Sequence, residues 1–220
     1  PAPAALPLPK ARTSEIGNLG DVVDRPETDQ ITIVVPIHNA FDDVRRCVGA
    51  LAEFTTSPAR LLLIDDASTD ERIPDLLRTY SALTNTTVLT NESNLGYTAT
   101  VNRGIAESTG DVVLLNSDAR VPPGWLERLR LTARLYPTAG TITAMSNNAG
   151  AFSAPEIGAN PVPLSLTEAE IGRLVGQGTK RIYPSGPTGN GFCMYMRRTC
   201  IDEIGLFDAD AFPRGYGEEK

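Results

Sequence analysis

Asp118 closes the segment Asp111-Val112-Val113-Leu114-Leu115-Asn116-Ser117-Asp118, in which an apolar run gives way to three polar residues. A carboxylate at the end of a buried strand can hold Mg2+ or Mn2+, because such an ion fills the rest of its oxygen shell with phosphate oxygens and water. The same triplet also suits a turn that caps the next helix, since Asn, Ser and Asp are all turn formers. Asp65 and Asp66 follow a second apolar run, Leu61 to Ile64. A carboxylate there can accept a hydrogen bond from the imide N–H of uracil or thymine, or from a ribose hydroxyl. The competing reading is capping of a helix that starts near Asp70.

No glycine-based phosphate cradle is available to share the work. The first apolar run is not followed by Gly-x-Gly-x-x-Gly, no Walker A segment occurs, and the glycine-rich loop of a sugar-nucleotide pyrophosphorylase is missing. A bound phosphate would then be met by a cation on a carboxylate. With one histidine, His38, and cysteines only at 47, 193 and 200, a structural zinc site is not expected.

These residues need a scaffold, and the hydrophobic pattern supplies one. Ile31 to Val35 is a continuous β-branched run, the signature of a strand buried on both faces. Val44, Cys47, Val48, Leu51 and Phe54 then recur at helical spacing, with Asp42 as the expected N-cap. Strands over Leu61 to Ile64, Thr86 to Thr90 and Asp111 to Leu115 alternate with helices marked by Ile73, Leu77 and Tyr80, by Tyr97, Val101 and Ile105, and by Trp125, Leu129 and Ala133. Pro122 and Pro123 mark the start of the last of these. Such alternation predicts an α/β fold, a parallel sheet covered by helices on both faces. Ligands of that architecture gather beyond the carboxyl ends of the strands, where the polar segments above fall. After Met145 the pattern weakens, leaving one short helix over Leu166 to Val175, a strand over Phe192 to Met196 and a helix ending near Gly205.

The 220 residues suit one domain with an attached tail. A formal charge of -7, from 20 Lys and Arg against 27 Asp and Glu, argues against a nucleic-acid face, which needs clustered cations. No apolar run reaches the roughly 20 residues that span a bilayer, and no secretion signal precedes the scattered cysteines, so a cytoplasmic setting is expected. Residues 1–28 read as a Pro-rich linker, and the missing initiator Met marks a piece of a longer polypeptide.

Taken in order, the motifs resemble the family 2 glycosyltransferases. They are Ile33-Val34-Val35-Pro36-Ile37-His38-Asn39-Ala40, Leu63-Ile64-Asp65-Asp66-Ala67-Ser68-Thr69-Asp70, Asn94-Leu95-Gly96-Tyr97, Gly110 to Asp118, and Pro122-Pro123-Gly124-Trp125. Gly189 to Arg197, Gly205-Leu206-Phe207-Asp208 and Gly217-Glu218-Glu219 complete the likeness on the acceptor side. The resemblance implies a GT-A fold, a Rossmann-like α/β/α sandwich over 29–220, with a donor half at about 29–120 and an acceptor half at about 121–220. It implies transfer, with inversion, of a sugar from a nucleoside diphosphate, UDP or dTDP in type, to a glycan, lipid-linked or protein hydroxyl.

By position, the resemblance implies that Pro36 and His38 hold the nucleoside and that Asp66 recognises the base. Asp118 matches the metal-binding end of the DxD motif, for Mn2+ or Mg2+, and Glu219 matches the catalytic base. Asn39, Asn94, Asn116 and Gly191 fall among the substrate-binding positions. Two residues depart from the pattern: Asn116 replaces the first Asp of DxD, and Glu219 stands where Asp is commoner. The family continues past this point, so further site residues are expected after Lys220. The alternatives are a nucleotide-sugar-binding module without transfer and a sugar-nucleotide nucleotidyltransferase.

Overall fold

A computed structural model describes residues 30–163, 165–178 and 183–215 of the chain. Its centre is a six-stranded sheet of order β3-β2-β1-β4-β6-β5. β1 (Thr32–Ile37), β2 (Arg60–Asp65), β3 (Thr86–Thr90) and β4 (Val112–Leu115) run parallel, in the places that the apolar runs predict. β6 (Cys193–Met196) is antiparallel both to β4 and to β5 (Thr141–Thr143).

Alternate strand residues feed two cores. On one face Ile33, Val35, Ile37, Leu63 and Leu115 pack with buried residues of α1 (Phe41–Phe54), α2 (Arg72–Ser81) and α4 (Trp125–Leu135). On the other, Val34, Leu62, Ile64 and Leu114 meet Val101 and Ile105 of α3 (Tyr97–Ala106) and Ile201 of α6 (Arg198–Ile204). At about 1.5–3 kcal/mol for each large aliphatic side chain taken from water, these layers are the main source of cohesion. Gly104 lets α3 lie directly on β1, since a Cβ there would sit 2.3 Å from a Val34 methyl.

Helix starts differ from their expected positions. The residue before α1 is Ala40, in the left-handed region at φ 53 and without a side-chain cap, so Asp42 is not the N-cap. Asn39 and Ala40 both turn left-handed, which starts the helix early and leaves Asp42 and Asp43 in its first turn, a favourable place for negative charge. Likewise α4 starts after Gly124 at φ 70, so Pro122 and Pro123 precede the helix. β5 escapes sequence reading because three residues carry no usable alternation, and pairing with β6 creates it. α5 (Glu168–Gly178) lies close to the expected short helix.

Candidate functional site

β1 is flanked by β2 on one side and β4 on the other, so the strand order reverses there. The carboxyl ends of these parallel strands share one edge, and a cavity of about 400 Å³ opens at it. Pro36, His38, Asp66, Asn94, Asn116 and Asp118, all expected site residues, line this cavity together. A ligand crevice at a switch point is the general behaviour of such sheets.

Asp66 is 4% exposed and its carboxylate is heavily used. One oxygen accepts the Asn91 side-chain amide at 2.7 Å and the Leu95 N–H at 2.8 Å; the other accepts the Gly96 N–H at 2.9 Å. It therefore lies just ahead of α3, with its negative charge beside the positive N-terminal end of that helix. Capping of α2 is not its task, because Asp70 accepts the Arg72 N–H at 3.0 Å. The Arg72 side-chain hydrogen bond, reinforced by that N–H, holds the Asp70 carboxyl down to about 2. Asp65 turns the other way and accepts the Ser68 N–H at 2.9 Å, so the adjacent carboxylates serve separate loops. The oxygen of Asp66 with one internal partner keeps capacity for another donor.

His38 has its Nδ1 2.9 Å from the Asp66 carbonyl, which can only accept, so Nδ1 carries the proton. Nε2 then accepts from the Asn39 and Asn94 side-chain amides, each at 3.1 Å. These contacts fix the plane of the ring. Asn39 itself does not line the cavity. Its side-chain Oδ1 accepts the backbone N–H groups of Thr69 and Asp70, tying the loop after β1 to the loop after β2. Asn94 folds in the same manner, accepting the Gly96 N–H at 3.0 Å.

On the opposite wall, the Asn116 N–H donates to the Phe192 carbonyl at 2.8 Å, continuing the β4–β6 ladder by one bond. Its side-chain Oδ1 is buried and has no hydrogen-bond partner among the described residues. Asp118 is exposed, two residues further on. Burial and then the negative charge of Asp118 push the Cys47 thiol up to about 12, so it is a packing group that donates to the Asn116 carbonyl at 3.6 Å. Among the described residues no group of three or more His, Cys, Asp and Glu gathers as a metal site. On this wall the cavity is lined by Asn116, Ser117 and the Asp118 carboxylate, oxygen donors of the kind that suits Mg2+ or Mn2+ when phosphate and water complete the shell.

Gly191 is buried away from the cavity lining; its carbonyl accepts the Tyr97 hydroxyl at 3.3 Å. Glu219 lies outside the described residues. Three lining residues lie outside the motifs: Asp43, Thr100 and Arg214. Helical spacing offers a signal for one of them, since Thr100 stands i+3 from Tyr97, a motif residue that also lines the cavity. Arg214 arrives on the segment after α6, which returns across α3.

Comparison with known proteins bears on the family and the fold. The Mycobacterium tuberculosis protein called N-acetylglucosaminyl-diphospho-decaprenol L-rhamnosyltransferase is 27% identical over 211 residues, covering 84% of this chain and 67% of that one. An Escherichia coli protein called uncharacterized glycosyltransferase YibD is 30% identical over 107 residues, 48% of this chain, and the chain spans only 31% of its length. Among solved structures, GalNAc-T7 with UDP, GalNAc and Mn2+ superposes with a TM-score of 0.65 at 17% identity, covering 89% of this chain and 40% of that one. The mannosyltransferase PcManGT from Pyrobaculum calidifontis, in complex with GDP-Man and Mn2+, gives 0.57 at 18%, covering 82% and 48%. Identities this low establish a shared GT-A fold. The model of the family called glycosyl transferase family 2 matches residues 32–205, from the first residue of β1 to the glycine that ends α6, and the chain belongs to that family.

Proposed function

We propose that this chain carries the donor site and part of the catalytic machinery of a metal-dependent, inverting glycosyltransferase. It moves a sugar from a nucleoside diphosphate, of UDP or dTDP type, to an acceptor hydroxyl in polysaccharide or glycoconjugate assembly. The observation that carries this reading is the cavity at the β1/β4 switch point, where Asp66 and His38 face Asn116 and Asp118. The solved neighbours bound to GDP-Man or UDP, both with Mn2+, support it. The name of the Mycobacterium tuberculosis relative supports a lipid-linked hydroxyl as one acceptor class.

In this reading Pro36 and the fixed His38 ring bound the nucleoside, and the free lone pairs of Asp66 accept a ring N–H. Asp118, with the unpartnered Asn116 Oδ1, would hold Mn2+ or Mg2+, which when bound neutralises charge on the departing diphosphate. Glu219 takes the proton of the acceptor hydroxyl as its oxygen attacks the anomeric carbon from the face opposite the diphosphate. Holding the two substrates in line supplies the remaining advantage.

The test is calorimetry and thermal shift on the full-length protein with UDP, dTDP and GDP, with and without Mn2+. A ligand at one hundred times its Kd stabilises the native state by about 2.7 kcal/mol, so UDP with Mn2+ should raise the melting temperature clearly. Asp118→Asn should remove most of the Mn2+-dependent gain and change little without metal. Equal UDP affinity for Asp118→Asn and wild type in Mn2+ would remove Asp118 as the ligand.

A further inference from the structure

Arg214 is the only cation among the described residues lining a cavity that also carries Asp43, Asp66 and Asp118. An arginine so placed ordinarily pairs with a carboxylate, yet its guanidinium has no hydrogen bond or ion pair with any described residue. Asp66 is turned into the loop before α3, where it receives three N–H groups. Its neighbours thus leave the guanidinium's five donors for a ligand.

The segment that brings Arg214 is fastened down along its length. The Asn102 side chain holds the Phe207 backbone from both sides, donating to its carbonyl at 2.7 Å and accepting its N–H at 3.0 Å. The Thr98 hydroxyl donates to the Phe212 carbonyl. Gly96, at φ 85, admits the next residue: a Cβ there would lie 2.4 Å from the Pro213 carbonyl oxygen. Arg214 therefore sits at the cavity because α3 positions the strap, and the loop clamped by Asp66 positions Gly96.

From this arrangement we infer that Arg214 is the residue that binds the diphosphate of the donor, across the cavity from Asp118. The inference deepens the donor-site reading above and depends on it. The chemistry is specific: the Asp66 carboxylate lies just ahead of the first turn of α3, and the first turn of α1 holds Asp42 and Asp43, so each helix end already has negative charge beside it. A divalent cation at Asp118 offsets part of the diphosphate charge. Arginine, always protonated and forked, supplies the rest with directed N–H donors.

The experiment is calorimetry on the full-length protein, in Mn2+, with three probes: UDP, UMP and uridine. Arg214→Ala should weaken UDP about tenfold or more, the worth of charge-assisted hydrogen bonds, and leave uridine within about twofold of wild type. Arg214→Lys, which keeps the charge but not the fork, should recover part of the loss. If Arg214→Ala binds UDP as wild type does, or weakens uridine as much as UDP, Arg214 is not a diphosphate ligand although the donor site stands. If wild type itself binds no nucleoside diphosphate, the donor reading falls, and this assignment with it.

Discussion

The loops that follow β1, β2 and β3 hold one another, whereas the segment between β5 and β6 bonds largely to itself. Beyond these strands, Asn39 receives N–H groups from the neighbouring loop, His38 reaches the Asp66 carbonyl, and Asp66 gathers the loop before α3. Between Ser146 and Asn160 the described bonds are local: Ser146 pairs with Phe152 and Ala154, and the Asn160 side chain with Asn147, Glu156 and Gly158. Large apolar side chains lie open there, Ile157 at 83% and Met145 at 57% exposure. The loops at the cavity are thus preorganised by their own polar network, whereas the segment between β5 and β6 is held by local bonds and leaves apolar side chains exposed. A site that meets the same chemical group at every turnover gains from rigidity, because ordering costs are met on folding.

The comparison predicts where damage should appear. The largest effect is expected at Glu219, the proposed base: Glu219→Gln in the full-length protein should lower the transfer rate by about 10²–10⁴ and leave UDP affinity nearly unchanged. Glu218→Gln is the control, and normal turnover by Glu219→Gln with loss in Glu218→Gln would move the base by one residue. Next is the scaffold beneath the donor loops. Ile64 is fully buried, and Ile64→Ala should cost about 2–5 kcal/mol in urea unfolding through lost burial and the cavity left behind.

Asp66→Ala should do two things at once, since it strands the donors of Asn91, Leu95 and Gly96 while removing the proposed base contact. The expected stability loss is about 1–3 kcal/mol, with a weaker preference for UDP over ADP in competition binding. Unchanged base preference beside a real stability loss would make Asp66 a loop clamp alone. The smallest effect is at Ile157, where replacement by Ala should alter stability by no more than about 0.5 kcal/mol. A larger loss there would show the segment between β5 and β6 to be as tightly integrated as the donor loops.

The parallel strands, the helices between them and the polar runs at the strand ends were all legible in the sequence, because a strand buried on both faces must be continuously apolar and its exit must not be. So were the residue types at the cavity: Asp66, Asn116 and Asp118 stand where apolar runs stop. Local signals misjudged what depends on backbone direction. Asn39 looks like a site residue by position, but its left-handed backbone, φ 58, turns the side chain onto Thr69 and Asp70. β5 pairs with β6 as its ladder partner, and the Gly191 carbonyl meets the Tyr97 hydroxyl, a contact between residues far apart in the chain.

Which side chains can be buried, and which chemistry the remainder can offer, followed from the order of residues alone, since hydrophobic period and side-chain type are properties of short stretches. Which of those groups face one another was settled by packing, because it depends on contacts between residues far apart in the chain. Arg214 and Gly96 belong to segments with no local relation. Yet Asn102, Thr98 and Gly96 draw the later segment across α3 to the cavity of Asp118.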